Sequence, residues 1–284
     1  MLKSFISVTL AILLVAGSTF AADLVTTPDG QPRALAAGEV VKGPATVRTA
    51  AGGELIVSPE SALQVQAPEG DLELFLVTEG SVRGNIGQKT QVAIPTGWLT
   101  VKSEERVLFY AETLKGATKR GFVKVDSGRG LLIFKKLHVH LSQGNGVEIE
   151  EKPNGAIRFT THQTNASKVH MILRVTDELE IDLKVPKAST GTLSQEQKGR
   201  KTRLVSDPIS WKSGQVALET FLEGASTNTG SLGPGTYAVI DNATGVLELA
   251  FDVVDFQIIK RATSLTSELS SLAVSNFFGF EAPK

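Results

Sequence analysis

In Lys135-Lys136-Leu137-His138-Val139-His140-Leu141, polar and apolar residues alternate without a break from Lys136 onward. Successive side chains of a strand point to opposite faces, so Leu137, Val139 and Leu141 share one face and Lys136, His138 and His140 the other. A helix would scatter the same residues around its circumference. The period of two returns over a longer stretch, from Val169 to Val185. There Val169, Met171, Leu173 and Val175 form one apolar set, and Leu179, Ile181, Leu183 and Val185 form another. A hairpin centred on Asp177 would pair Val175 with Leu179, Leu173 with Ile181 and Met171 with Leu183, and set Arg174 opposite Glu180 as a favourable charge pair. The turn Thr176-Asp177-Glu178 contains no glycine. One long bent strand is therefore the competing arrangement.

Working outward, short strand-like runs recur on both sides. Thr46-Val47-Arg48, Glu54-Leu55-Ile56-Val57, Leu63-Gln64-Val65 and Leu72 to Val77 come first. Gln91 to Ile94, Trp98 to Val101, Val107 to Tyr110 and Phe122 to Val125 follow, then Gln215 to Leu218 and Tyr237 to Ile240. Turn residues separate them at the spacing of a sandwich, barrel or roll. The period changes only near the C-terminus, where Ile258, Ala262, Leu265, Leu269 and Leu272 follow one helical stripe. The expected fold is mainly β, with many short antiparallel strands and a C-terminal amphipathic helix over roughly 256–275. Between Pro186 and Pro208 the composition turns polar, which predicts a linker or loop over 187–207. A small β-plus-helix region over 208–284 comes after it.

The 284 residues contain no Cys, and the formal net charge is −1. Disulfides, thiolate metal sites and cysteine nucleophiles are thereby excluded. Nucleic acid is not an expected partner, because phosphate binding needs a basic excess. Lys3, an apolar run from Phe5 to Ala16 and the exit Thr19-Phe20-Ala21 have the form of a secretory signal peptide over 1–21. Gly17-Ser18-Thr19 interrupts the run before it reaches spanning length. The expected mature chain starts near Ala22 with a lead-in over 22–36 and has no transmembrane segment. Export predicts a periplasmic, outer-envelope or secreted protein held together without disulfides.

The stretch from about Gly38 to Gly146 resembles a FecR-type domain, the extracytoplasmic module named for the ferric-citrate regulator. The likeness rests on Val47-Arg48-Thr49 with Gly52-Gly53-Glu54-Leu55, on Pro59 to Val65, and on Leu72 to Gly84. Ile94-Pro95-Thr96-Gly97 and Val123 to Gly128 add to it. The family often continues into a further strand where this chain has Lys102-Ser103-Glu104-Glu105-Arg106. The resemblance implies a FecR-like β roll or sandwich, with an extension, over 37–186. A regulator of that family carries a cytoplasmic anti-sigma segment, and only Met1 to Lys3 precede the apolar run here. The implied protein is a stand-alone exported module.

For chemistry, His138 and His140 are the first candidates, because an H-x-H spacing on a strand points both imidazoles one way, as a metal site requires. The polar positions of neighbouring strands add Lys136, Arg158, His162, His170 and Arg174. Together these seven residues make a possible face for an anionic ligand, binding more strongly as the histidines protonate. The cations disfavour a divalent metal, and no carboxylate stands at ligand spacing within these strands. Glu178, Glu180 and Asp182 on one side, and Glu148, Glu150 and Glu151 on another, read as solvated acidic faces. No nucleophile elbow, zinc-protease helix or phosphate loop occurs, and the glycines near Gly84 and Gly230 read as turns. The expected protein is a non-catalytic envelope component without cofactors, acting as a scaffold or binding module. Its expected partners are an envelope component, a polysaccharide or another exported protein. The alternative is an exported carbohydrate-active or metal-dependent enzyme that uses the His138/His140 face.

Overall fold

In a computed structural model, the described residues are 23–26, 32–95, 97–101, 106–114, 119–164, 168–195, 201–206, 216–233 and 236–251. Within them every regular element is a strand, and nearly all neighbours run antiparallel. The mainly β expectation holds. The signal peptide over 1–21 and the helix over 256–275 both lie outside the described residues.

Two sheets share one hydrophobic core. The chain enters through β1 (Asp23–Thr26), β2 (Arg33–Ala34), β3 (Val40–Lys42), β4 (Ala45–Arg48), β5 (Glu54–Val57) and β6 (Ala62–Val65). The long strand β7 (Glu73–Ile86) then serves both sheets. Its first half pairs with β6 and, in parallel, with β8 (Thr90–Ile94); its second half pairs with β5 and with β10 (Val107–Leu114). Gly80, at φ +63°, stands at the changeover. At the start of β7 the buried carboxylate of Glu73 accepts hydrogen bonds from the Ala50 and Ala51 amides at 2.7 and 3.2 Å, tying down the preceding turn.

After β9 (Gly97–Val101) the chain adopts a simple rule: it lays down two strands in one sheet, then two in the other. β11 (Lys119–Ser127) joins β10 in the first sheet; β12 (Arg129–Phe134) and β13 (Leu137–Ser142) form a hairpin in the second. β14 (Asn145–Glu151) and β15 (Ile157–Gln163) return to the first, pairing with β11. β16 (Val169–Arg174) and β17 (Leu179–Val185) extend the second, pairing with β13. β18 (Thr190–Gln195) and β19 (Lys201–Ser206) extend the first, and β20 (Val216–Leu222) with β21 (Ala225–Leu232) the second. β22 (Thr236–Asp241) and β23 (Leu247–Phe251) follow in the first.

The alternation read from sequence is what builds the core. Leu137, Val139 and Leu141 of β13 are buried, as are Val169, Met171, Leu173, Leu179, Ile181, Leu183 and Val185. Each large apolar side chain buried this way is worth about 1.5–3 kcal/mol against its exposed state. The 169–185 segment is a hairpin in the predicted register, with Leu173 opposite Ile181, Met171 opposite Leu183 and Arg174 opposite Glu180. The alternative of one long strand is ruled out.

Two expectations need correction. Residues 187–207, read as a polar linker, contain β18 and β19, which pair with β15 and β22 inside the first sheet. Their inward positions hold the buried Leu193, Leu204 and Thr202. Gly84 and Gly230, read as turn residues, lie within β7 and β21. At Gly84 a Cβ would come within 2.3 Å of the Glu54 carbonyl oxygen, so close approach of two backbones explains that glycine.

Candidate functional site

The outward face of the second sheet gathers the titratable groups. His138 and His140 alternate with the buried residues of β13, and His170 does the same on β16. The register makes His140 and His170 direct cross-strand partners. Their rings stack with centroids 5.0 Å apart and planes 22° from parallel. On the far side of His170 its partner is Lys184, so His140, His170 and Lys184 form one row across β13, β16 and β17. The adjoining row runs His138, Ile172, Asp182 and Glu219.

Asp182 lies diagonal to His170 and reaches it. The Nε2–Oδ1 separation is 2.5 Å, with side chains 40 % and 18 % exposed. The two atoms themselves are shielded from solvent and meet without an aligned hydrogen bond. The hairpin thus brings a carboxylate from the neighbouring strand onto His170. Arg174 Nε donates to Glu180 Oε1 at 2.9 Å, and Lys136 Nζ donates to the Val175 carbonyl at 2.8 Å. Arg174 and Lys136 thus already have oxygen partners in the fold.

Arg158 and His162 are not part of the cluster. Both lie on β15, in the other sheet. There His162 meets the Phe122 ring edge-on at 5.3 Å. Gly146, between their strands, leaves room for this: a Cβ would stand 3.1 Å from the Phe122 ring. Tyr110 completes the aromatic group at 6.0 Å from Phe122 and hydrogen-bonds Glu112 at 2.8 Å. Burial, the largest influence, pushes its hydroxyl above the usual tyrosine range, and Glu112 adds to the rise. Arg158 faces Glu150 across the β14–β15 register, Arg120 pairs with Glu148, and Lys152 with Glu150. The single seven-residue anionic-ligand face is therefore divided between two sheets, and each part is interleaved with carboxylates.

Chemically, the group amounts to one imidazole–carboxylate contact, His170 with Asp182, beside the stacked ring of His140. Among the described residues, no group of three or more His, Asp or Glu is disposed to hold a metal ion, His138 and His140 included. A shallow groove of about 200 Å³ lies elsewhere, lined by Lys201, Asp241, Thr244 and Glu248 at the end of the first sheet. Asp241 accepts hydrogen bonds from the Ala243 and Thr244 amides at 2.9 and 3.1 Å. Those bonds, the Ala243 amide foremost, hold its carboxyl below the usual range and mark it as part of a turn. The carboxylates of the groove and Lys201 alternate in sign, and no catalytic geometry emerges from them.

Sequence reasoning separated Asp182 from the histidines because they lie on different strands. The signal that joins them is the hairpin register itself: with Arg174 opposite Glu180, Asp182 falls one diagonal step from His170. Compared with known proteins, the chain matches no family model, no curated protein and no solved structure.

Proposed function

We propose that the chain is a non-catalytic, exported component of the cell envelope, with a FecR-like unit at about 38–146 and a C-terminal amphipathic helix. It acts as a scaffold or an extended binding surface for an envelope component, a polysaccharide or another exported protein. The observation that carries this reading is the stepwise, paired growth of both sheets after β11. Such growth yields two long outer faces studded with balanced charge, including Arg120–Glu148 on one and Arg174–Glu180 on the other. Surfaces of this kind suit contact with an extended or flat partner, whereas a small-molecule enzyme needs a deep, mostly apolar pocket.

An unselective affinity for polyanions fits this face less well than the sequence suggests, since Glu180, Asp182 and Glu219 stand among its cations. The second reading is a metal-dependent or carbohydrate-active enzyme centred on His138 and His140. The proximity of His170 to Asp182 is the observation in its favour.

Fractionating native envelopes after chemical crosslinking tests the first reading. Recovery in the exported fraction, crosslinked to one recurrent envelope component, is the expected result. A cytoplasmic, uncrosslinked protein would sink it. A thermal shift on adding zinc, copper or calcium that disappears in His138→Ala would instead favour the enzyme.

A further inference from the structure

We propose that the end of the sandwich at β21 and β23 is the docking site of the chain's own C-terminal stripe, Ile258, Ala262, Leu265, Leu269 and Leu272. Docking rests on the helical reading of 256–275, not on the envelope role. Within the stack, inward apolar side chains are buried, as Leu179, Ile181, Leu183 and Val185 of β17 are. At the end this cover stops. Among the described residues β21 pairs only with β20, and β23 only with β22. Leu247 and Leu249 of β23, with Leu222 of β20, pack against the core and yet stay half-buried. Half-exposed leucines against a core leave apolar burial unrealised. They are also held at a defined place. Gly230 of β21 gives room to Leu247 and Leu249, since a Cβ there would stand 2.9 and 3.4 Å from them. Thr220 Oγ1 and Asn228 Nδ2 donate to the Gly245 carbonyl at 2.9 and 3.3 Å, fixing the turn that leads into β23.

Position, length and chemistry name the occupant. β23 ends at Phe251, and the stripe begins seven residues later at Ile258. Even fully extended, that connection reaches no further than about 25 Å, so the stripe starts beside the site. A helical stripe from Ile258 to Leu272 is about 21 Å long. Stacked sheets lie about 10 Å apart, so such a stripe is long enough to cross from one sheet to the other. Its apolar residues match the three leucines in kind, while Lys260, Ser267 and Ser271 fall on the opposite side of the same helix and would face water. An array stabilised by its neighbours needs a cap of this form, apolar inside and polar outside. A helix keeps its backbone hydrogen bonds to itself, so β21 and β23 remain terminal strands beneath it.

Because the chain has no Cys, single introduced thiols report cover position by position. In the full chain, iodoacetamide should alkylate Leu249→Cys at least about tenfold more slowly than Val246→Cys, whose position is exposed on the outward side of β23. Val139→Cys, at a fully buried position of β13, should stay unlabelled throughout and so reports that the fold is intact. Adding Leu265→Asp with Leu269→Asp should raise the Leu249→Cys rate about tenfold and leave Val246→Cys within about twofold. Ser267→Asp lies opposite the stripe on a helix but beside Leu265 and Leu269 on a strand, and should change neither rate. An equal rise with Ser267→Asp would refute the helical reading while keeping the segment on the site. With Val139→Cys still silent, an unchanged Leu249→Cys rate in the doubly charged variant would overturn the docking. So would equal labelling of Leu249→Cys and Val246→Cys when the segment is unaltered. Protection that disappears on dilution would also overturn it, by placing a second copy on the site.

Discussion

Gly80 shows what one residue must do for this fold. It takes φ +63° at the point where β7 leaves one sheet for the other, and a Cβ there would meet Ser61 Oγ at 2.3 Å. That hydroxyl is already committed, accepting from the Ser81 amide at 2.9 Å and donating to the Pro59 carbonyl at 3.2 Å. Gly70 has nearly the same φ, +61°, with nothing within 4 Å of its absent Cβ. The pair separates backbone strain from crowding. Gly70→Ala should cost about 1 kcal/mol, the ordinary left-handed penalty. Gly80→Ala should cost about 3 kcal/mol, because the clash adds to that penalty. Denaturant midpoints at constant slope would measure both, and equal losses would show that Ser61 yields without cost. Neither role was legible beforehand. Both glycines look like turn residues in sequence, since crowding by Ser61 depends on a strand pairing that local pattern does not encode. Asp182 was hidden for the same reason: its partner is across a register, not along the chain.

At the scale of elements, the β16–β17 hairpin was legible and the β18–β19 hairpin was not. The first has Val, Met, Leu and Ile at every inward position, so the period of two is loud. Its glycine-free turn is held by Thr176, whose Oγ1 accepts from the Glu178 and Leu179 amides at 3.2 and 2.9 Å. The second hairpin places Gly191 at an inward position because the Phe159 ring of β15 already occupies that volume; a Cβ would come within 2.4 Å of it. Thr190 and Thr202 take further buried positions. The apolar bulk that should announce these strands is thus supplied by a neighbour, and the segment reads as a linker. The first hairpin offers a direct comparison of two side-chain devices. Thr176→Val removes two acceptor contacts and should cost about 1–2 kcal/mol. Arg174→Ala removes an ion pair whose side chains are 58 % and 38 % exposed, and solvent screening should keep its cost below about 0.5 kcal/mol. Urea denaturation of both variants distinguishes them, and a larger loss at Arg174 would place the hairpin's stability in the charge pair rather than the turn.

For the whole molecule, the sequence predicted strands far better than it predicted sheets. The inward faces of β12, β13, β14 and β15 are dominated by apolar residues alike, so nothing along the chain says that β12–β13 belongs to one sheet and β14–β15 to the other. That assignment comes from two growing sheets each needing the other's inner face covered, which alternate hairpins satisfy at every step. A consequence is that each hairpin is stabilised mainly by the units before and after it, as in a repeat array. β13 and β17 have paired strands on both sides, while β21 and β23, among the described residues, pair only with β20 and β22. β21 is also composed of Ala, Ser, Thr, Asn, Gly and one Leu, with most of its length exposed or half-buried. Its opening should therefore be local and cheap, whereas opening β17 must disrupt Leu179, Ile181, Leu183 and Val185 in the shared core. At pH 7, amide exchange should be at least about tenfold faster in β21 than in β17, a gap of the size that one or two lost neighbour contacts produce. Protection should rise inward through β20 as neighbours accumulate. Uniform protection from β13 to β23 would mean that the two sheets open only as a single cooperative unit, and that the stepwise growth of the fold leaves no trace in its stability.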